Sequence, residues 1–275
     1  MALTMPLPTG TRPILRFQDL AGVLLCMIFA RSAAMAFNRL IDARLDAANP
    51  RTATRHLPAG KMTRWQVGAF TVACGIGFVA STLLFLPNRL PLLLSVPVLA
   101  FLCGYSFAKR FTMAAHLWLG VALSLSPLCA WIAIRGEISM SNLADWLAPL
   151  ILAAAVAAWV TGFDLLYACQ DADYDARVGL HSVPAKLGVN RALRLALMCH
   201  VLMLVLLATL PWLVAELGLG WLYWGALVLV AGLVLRQHSL VRPDDLQRVN
   251  QAFFDTNAAI SLVLLVAGTV DTLFL

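Results

Sequence analysis

Apolar residues in this chain fall in long blocks separated by short polar segments. The blocks lie at about 19–37, 66–86, 90–107, 115–134, 146–168, 192–212, 219–235 and 256–275. Several approach or exceed the roughly 20 residues a helix needs to cross hydrocarbon. The pattern predicts an all-α, polytopic transmembrane helix bundle with about eight spans. Pro91, Pro97 and Pro127 fall inside blocks, which membrane helices tolerate because neighbours satisfy the freed carbonyls. Residues 1–18 read as an N-terminal tail and 19–275 as one transmembrane domain. Nothing in the tail has the short apolar core and small-residue cleavage site of a secretory signal.

Composition agrees. Of 275 residues, 61% are hydrophobic and 12% charged, with a mean hydropathy of +0.83; soluble domains have about 45–50% and about 25%. The net charge of +6 does not point to nucleic acid, because Lys and Arg sit between spans and not along one face. If segment 38–65 faces the cytoplasm, alternation puts 108–114, 170–191 and 236–250 there too. With Arg194 at the entry of the next block, fifteen Lys and Arg then lie on that side, and four (Arg12, Arg16, Arg89 and Arg135) on the other. That asymmetry sets the orientation and predicts a multi-pass protein of the inner (cytoplasmic) membrane. The six cysteines are scattered, contain no CxxC, and indicate neither a disulfide frame nor a metal site.

Acidic residues are few and clustered. Asn38, Asp42 and Asp46 follow at intervals of four and trace one drifting helical stripe, with Arg31 about 20° off it. A second cluster, FDLLYACQDADYD, puts Asp164, Asp171 and Asp175 within about 40° of each other on a continuous helix, with Tyr167 on the flank and Asp173 opposite. Each cluster closes an apolar block and precedes a basic loop with proline and glycine, RTATRHLPAGK or ARVGLHSVPAKLG. This internal similarity predicts two halves, joined near 108–114, that face one site. One cluster alone would read as a solvated helix end. Two on one membrane side argue for a site. Converging acids repel unless a cation lies between them, and hard oxygen ligands suit Mg²⁺ with substrate phosphates. Arg51, Arg55, Lys109 and Arg110 can offset phosphate charge. Acids, metal and bases at the mouth of an apolar cavity describe a site for a lipid diphosphate. His116 reads as a satisfied interfacial histidine, His56 and His181 as solvated loop residues, and Asp244–Asp245 as a solvated turn.

The chain resembles the UbiA-type membrane prenyltransferase superfamily. The resemblance rests on NxxxDxxxD followed by RTxxRxLPxG (Asn38, Asp42, Asp46, Arg51, Thr52, Arg55, Leu57, Pro58 and Gly60). It rests also on DxxYxxxDxxxD (Asp164, Tyr167, Asp171 and Asp175) and on YSFAKRFT at 105–112. Within the superfamily the motif segments are most similar to the 4-hydroxybenzoate polyprenyltransferase-like branch, including menaquinone-pathway members. The resemblance implies nine helices around a central cavity. The helix expected before the NxxxDxxxD helix is missing, and only a short tail, MALTMPLPTGTRPILRFQ, precedes the motif helix. Truncation, a misassigned start codon or a form that works without it would each explain this.

The resemblance further implies Mg²⁺-dependent transfer of a polyprenyl group from polyprenyl diphosphate to an aromatic acid, in ubiquinone or menaquinone biosynthesis. Asp42, Asp46, Asp171 and Asp175 would hold Mg²⁺. Asn38 would orient the diphosphate, with Arg31, Arg51, Arg55, Lys109 and Arg110 as its charge partners. Tyr167 would stabilise an allylic cation, and Asp164 would position the phenol or take a proton. The acceptor could instead be a chlorin, a haem, a homogentisate or a glyceryl phosphate. An ion or lipid transporter is the alternative from another class. It fits less well, because the acids lie at helix ends and the repeats keep one orientation.

Overall fold

The described residues form ten α-helices: α1 (Phe17–Ala48), α2 (Arg64–Ser81), α3 (Leu90–Ala108), α4 (Ala115–Ser141), α5 (Leu147–Ala168), α6 (Ala172–Val178), α7 (Val183–Leu187), α8 (Val189–Leu213), α9 (Trp221–Leu240) and α10 (Val249–Phe274). The computed structural model describes residues 1, 2, 5, 16–243, 246 and 249–274, and among these it contains no strand. Arg12, Asp244, Asp245 and Arg248 lie outside the described residues. All eight expected blocks are helical. Among the described residues, seven helical segments are long and apolar enough to cross a membrane. The block at 219–235 forms α9 but is not among the seven, because the helix continues into Arg236, Gln237 and His238, which dilute its apolar run. The chain is a multi-pass membrane protein.

Local chemistry sets the helix ends. Thr63 starts α2 with a reciprocal cap: its Oγ1 accepts from Gln66 N–H at 3.2 Å and Gln66 Oε1 accepts from Thr63 N–H at 2.8 Å. Gly179 closes α6 in the left-handed region at φ 76°, which costs glycine nothing sterically. Helix α1 is continuous over 32 residues, about 48 Å at 1.5 Å per residue. It therefore outruns a hydrocarbon core of about 30 Å and carries its polar end beyond the apolar stretch.

The second acidic segment departs from the expected single stripe. Helix α5 ends at Ala168, a 3₁₀ turn covers Cys169–Asp171, and α6 follows. A 3₁₀ turn advances 120° per residue instead of 100°, so three residues add about 60° of rotation. Asp171 and Asp175 are thereby shifted to about 40° and about 80° from Asp164, so the three no longer centre on one line.

Helix α5 lies at the centre, against α4 on one side and α8 on the other, with a further contact to α10. Helix α1 packs on α2 and α3, and α9 on α10. Small residues on α5 let these helices close in: Ala155 and Ala158 meet Met203, Leu207, Tyr223, Leu227, Val230 and Ile260. Many large apolar side chains instead point outward, among them Phe70, Ile76, Leu93, Val96 and Val228. On a bilayer-spanning protein these meet lipid. Trp65, Trp212 and Trp221 are exposed near helix ends, where interfacial aromatics sit.

Gly162 lets α5 and α8 approach closely. A Cβ there would lie 2.6 Å from His200 Nε2 and 3.0 Å from the Ala196 carbonyl. Gly162→Ala is expected to cost about 1–3 kcal/mol by overpacking and to lower the melting temperature in detergent. An unchanged melting curve would show that the two helices separate freely.

Candidate active site

Helix α1 delivers its polar stripe to one spot. Asn38 Nδ2 donates to Asp42 Oδ2 at 3.1 Å. Asp42 is only 3% exposed and lies in the C-terminal part of a helix, where the dipole disfavours an anion. The end of α3 offsets both penalties. Lys109 Nζ approaches Asp42 Oδ2 at 2.5 Å, and Arg110 Nη2 approaches Oδ1 at 3.0 Å. Arg110 also donates to the carbonyls of Ile41 and Ser106 at 2.9 and 3.1 Å, which fixes its plane.

One turn on, Asp46 Oδ1 accepts from Arg55 Nη1 at 2.6 Å, and Arg39 Nη1 lies 3.8 Å from Oδ2. Oδ2 itself is buried and accepts no hydrogen bond from the described residues. The loop after α1 then folds back across the site. Thr52 Oγ1 donates to the Asp46 carbonyl at 3.0 Å. Asn49 Oδ1 accepts from Arg51 N–H at 3.0 Å, and Asn49 Nδ2 reaches Asp171 Oδ1 at 2.9 Å.

Arg51 completes the crossing. Its Nε donates to Asp171 Oδ1 at 2.8 Å, and its Nη2 donates to Oδ2 in the two-pronged arrangement that suits guanidinium and carboxylate. Its Nη1 donates to the Tyr167 hydroxyl at 2.8 Å, and the guanidinium lies 5.0 Å from the Tyr167 ring centroid. The hydrogen bonds to Asp171 raise the Arg51 pKa above the usual guanidinium value, against the desolvation of a half-buried group. Tyr174 donates to the Leu45 carbonyl at 2.7 Å and fastens α6 to α1. Residues far apart in the chain thus meet: the end of α1 and its loop, the end of α3, and the turn between α5 and α6.

Asp164 has its own partner on α4. Its Oδ2 lies 2.6 Å from His116 Nδ1 on α4. His116 is thus a satisfied histidine, as the sequence suggests, and Asp164 is the partner that the sequence does not name. Asp175 lies near Asp171 and Lys109, and Asp173 is exposed. Arg31 stands apart from the cluster. It precedes Asp42 by eleven residues on a continuous helix, about 16 Å, and is exposed. The structure does not bring it to the bases with which it was grouped. Asn49 and Tyr174 also bear on the site. Asn49 carried a signal in its place just before the RTxxR run, whereas Tyr174 carried none.

The acids do not face one another directly. Among the described residues no three His, Cys, Asp or Glu side chains stand close enough to hold a metal ion. Asp42, Asp46 and Asp171 are each met by a protein cation. Such compensation is expected wherever buried carboxylates gather without another cation.

The chain matches the UbiA prenyltransferase family over residues 5–263. It belongs to that family. It is 34% identical over 251 residues to the 4-hydroxybenzoate octaprenyltransferase of Nitrosomonas europaea, covering 91% of this chain and 81% of that one. It is 31% identical to the protein of that name in Tolumonas auensis, covering 82% and 75%. Among solved structures, the apo form of a UbiA homologue from Aeropyrum pernix K1 superposes with a TM-score of 0.82 at 31% identity, over 95% of this chain and 92% of that one. A UbiA homologue from Archaeoglobus fulgidus, determined with DMAPP and Mg²⁺, shares the fold with a TM-score of 0.69 at 16% identity, over 97% and 92%. The fold and the family agree that this UbiA-family chain is a membrane prenyltransferase.

Proposed function

We propose that this enzyme transfers a polyprenyl group from polyprenyl diphosphate to an aromatic acid of the 4-hydroxybenzoate type, in quinone biosynthesis, at a site facing the cytoplasm. The observation that carries the reading is the set of acid–base pairs Asp42–Lys109–Arg110, Asp46–Arg55 and Asp171–Arg51 at adjoining helix ends. A diphosphate can draw these four bases onto its own oxygens and leave the carboxylates to a cation. The residues fit Mg²⁺. Asp42, Asp46, Asp171 and Asp175 offer hard oxygen donors, and Asp46 Oδ2 is already a buried acceptor without a hydrogen bond. When bound, the ion supplies Lewis-acid stabilisation of charge on the leaving diphosphate. The relatives' names and the DMAPP–Mg²⁺ complex of the archaeal homologue support the same assignment.

The chain's own residues account for the rest. Lys109, Arg110, Arg51 and Arg55 stabilise the departing diphosphate, and Asn38 orients it. The Tyr167 ring, already under a guanidinium, presents a π face to the allylic cation. Asp164 orients the acceptor's phenol and takes its proton. Arg31 stays outside this set, because eleven residues of continuous helix separate it from Asp42. The apolar helices shelter the prenyl chain and keep water from the cation.

The test is a product assay on the purified protein in detergent, with 4-hydroxybenzoate, dihydroxynaphthoates and polyprenyl diphosphates of several lengths. A prenylated aromatic acid and released diphosphate are expected. Chelation by EDTA should stop both, and added Mg²⁺ should restore them. Turnover undiminished in excess EDTA would overturn the metal assignment. Failure with every aromatic acid would overturn the acceptor.

A further inference from the structure

His116 is the second residue of α4 and is 7% exposed. Both of its ring nitrogens are engaged. Nε2 receives the backbone N–H of Val183 at 3.3 Å, and Nδ1 lies 2.6 Å from Asp164 Oδ2. A backbone amide can only donate, so Nε2 must carry the lone pair and the proton must sit on Nδ1. His116 therefore donates to Asp164. The carboxylate keeps 24% of its side-chain surface exposed, and Oδ1 accepts no bond from the described residues. One oxygen is held and the other is left for a ligand.

The amide that sets this tautomer belongs to a segment held at both ends of the diphosphate site. Within it, His181 N–H donates to the Lys109 carbonyl at 2.8 Å, and Leu180 N–H donates to the Asp175 carbonyl at 2.9 Å. Lys109 in turn places its ammonium on Asp42. A short connected path thus runs from Lys109 through residues 181–183 to His116 and on to Asp164.

We propose that His116 is the positioning residue for Asp164, and that segment 180–183 sets it in register with the diphosphate base Lys109. The proposal rests on the reading of Asp164 as the acceptor-side acid. In this role His116 touches neither substrate. It holds Oδ2 so that Oδ1 faces the phenol, and its own orientation depends on a loop anchored to the donor site.

Steady-state kinetics on His116→Ala, His116→Gln, Asp164→Asn and the double variant test this. His116→Ala should lower kcat/KM for the aromatic acid about a hundredfold, the usual consequence of a small misplacement of a reacting group. Affinity for a non-ionisable diphosphate analogue, measured by calorimetry, should stay unchanged. His116→Gln can donate to Asp164 and accept from Val183, so it should recover most of the loss. In the Asp164→Asn background, removing His116 should cost less than about threefold, since coupled residues do not add. Additive losses, equal losses for Ala and Gln, or a matching loss of analogue affinity would overturn the proposal. If His116→Ala does not survive purification, His116→Met replaces it with an apolar side chain of similar size, and the Gln–Met contrast carries the same prediction. Active wild-type protein with an unaffected His116→Ala overturns this inference alone. Wild-type protein that prenylates no aromatic acid overturns the functional reading and this inference with it.

Discussion

Asp42→Asn is expected to cut kcat by at least about a thousandfold, the scale on which single electrostatic contributors to a transition state act. Asp42 accepts from Asn38, Lys109 and Arg110 at once. A carboxamide has one acceptor oxygen for those three donors, and its NH₂ would face two cations. The substitution removes a proposed Mg²⁺ oxygen and misplaces two diphosphate bases in one change. Lys109 and Arg110 keep about a third of their side-chain surface, so water can compensate them and the fold should survive. Turnover at saturating donor and Mg²⁺, measured beside the melting temperature, separates these effects. The concentration of Mg²⁺ giving half-maximal rate should rise in the variant. Near-normal kcat at the wild-type Mg²⁺ requirement would sink the metal role of Asp42.

Which parts of this site could be read from residues alone follows from how each part is built. Asn38, Asp42 and Asp46 lie on one uninterrupted helix, so their spacing translated directly into a shared face. Asp164, Asp171 and Asp175 did not behave that way. The 3₁₀ turn at Cys169–Asp171 changes the rotation per residue there and leaves no trace in periodicity. Charge asymmetry placed Arg51, Arg55, Lys109 and Arg110 on the side of the acids. It could not say that Arg51 would cross 120 positions to Asp171. His116 reads as satisfied from its position, but one histidine at a helix start has no pattern around it to name its partner. Its meaning comes from the packing of α4 against α5, which a linear reading does not contain. The same limit hid the pair that closes the opposite end of those two helices.

There, Arg135→Met is expected to destabilise the enzyme by about 3–5 kcal/mol, the cost of leaving one buried ion without its partner. Arg135 and Asp145 are 1% and 2% exposed in their side chains, with Arg135 Nη2 at 2.6 Å from Asp145 Oδ1. Arg135 Nε adds contacts at 3.1 and 3.2 Å, Trp131 Nε1 donates at 3.0 Å, and the Ser139 hydroxyl donates as well. Arg135 Nη1 also donates to the carbonyls of Ala2 and Met5 at 3.2 and 2.8 Å. Without the guanidinium, Asp145 keeps two neutral donors for a charge cut off from water, and two backbone acceptors lose a partner. His116 stands nineteen residues earlier on α4, about 28 Å away. The loss should therefore appear in thermal melting in detergent, while KM for both substrates in the folded fraction stays at its wild-type value. Arg135→Met combined with Asp145→Leu removes both charges together and should melt above Arg135→Met alone, because an apolar pair carries no desolvation penalty. If the double variant melts as low as the single one, an orphaned carboxylate is not the cause. The stability would then reside in the anchoring of Ala2 and Met5 that both variants lack.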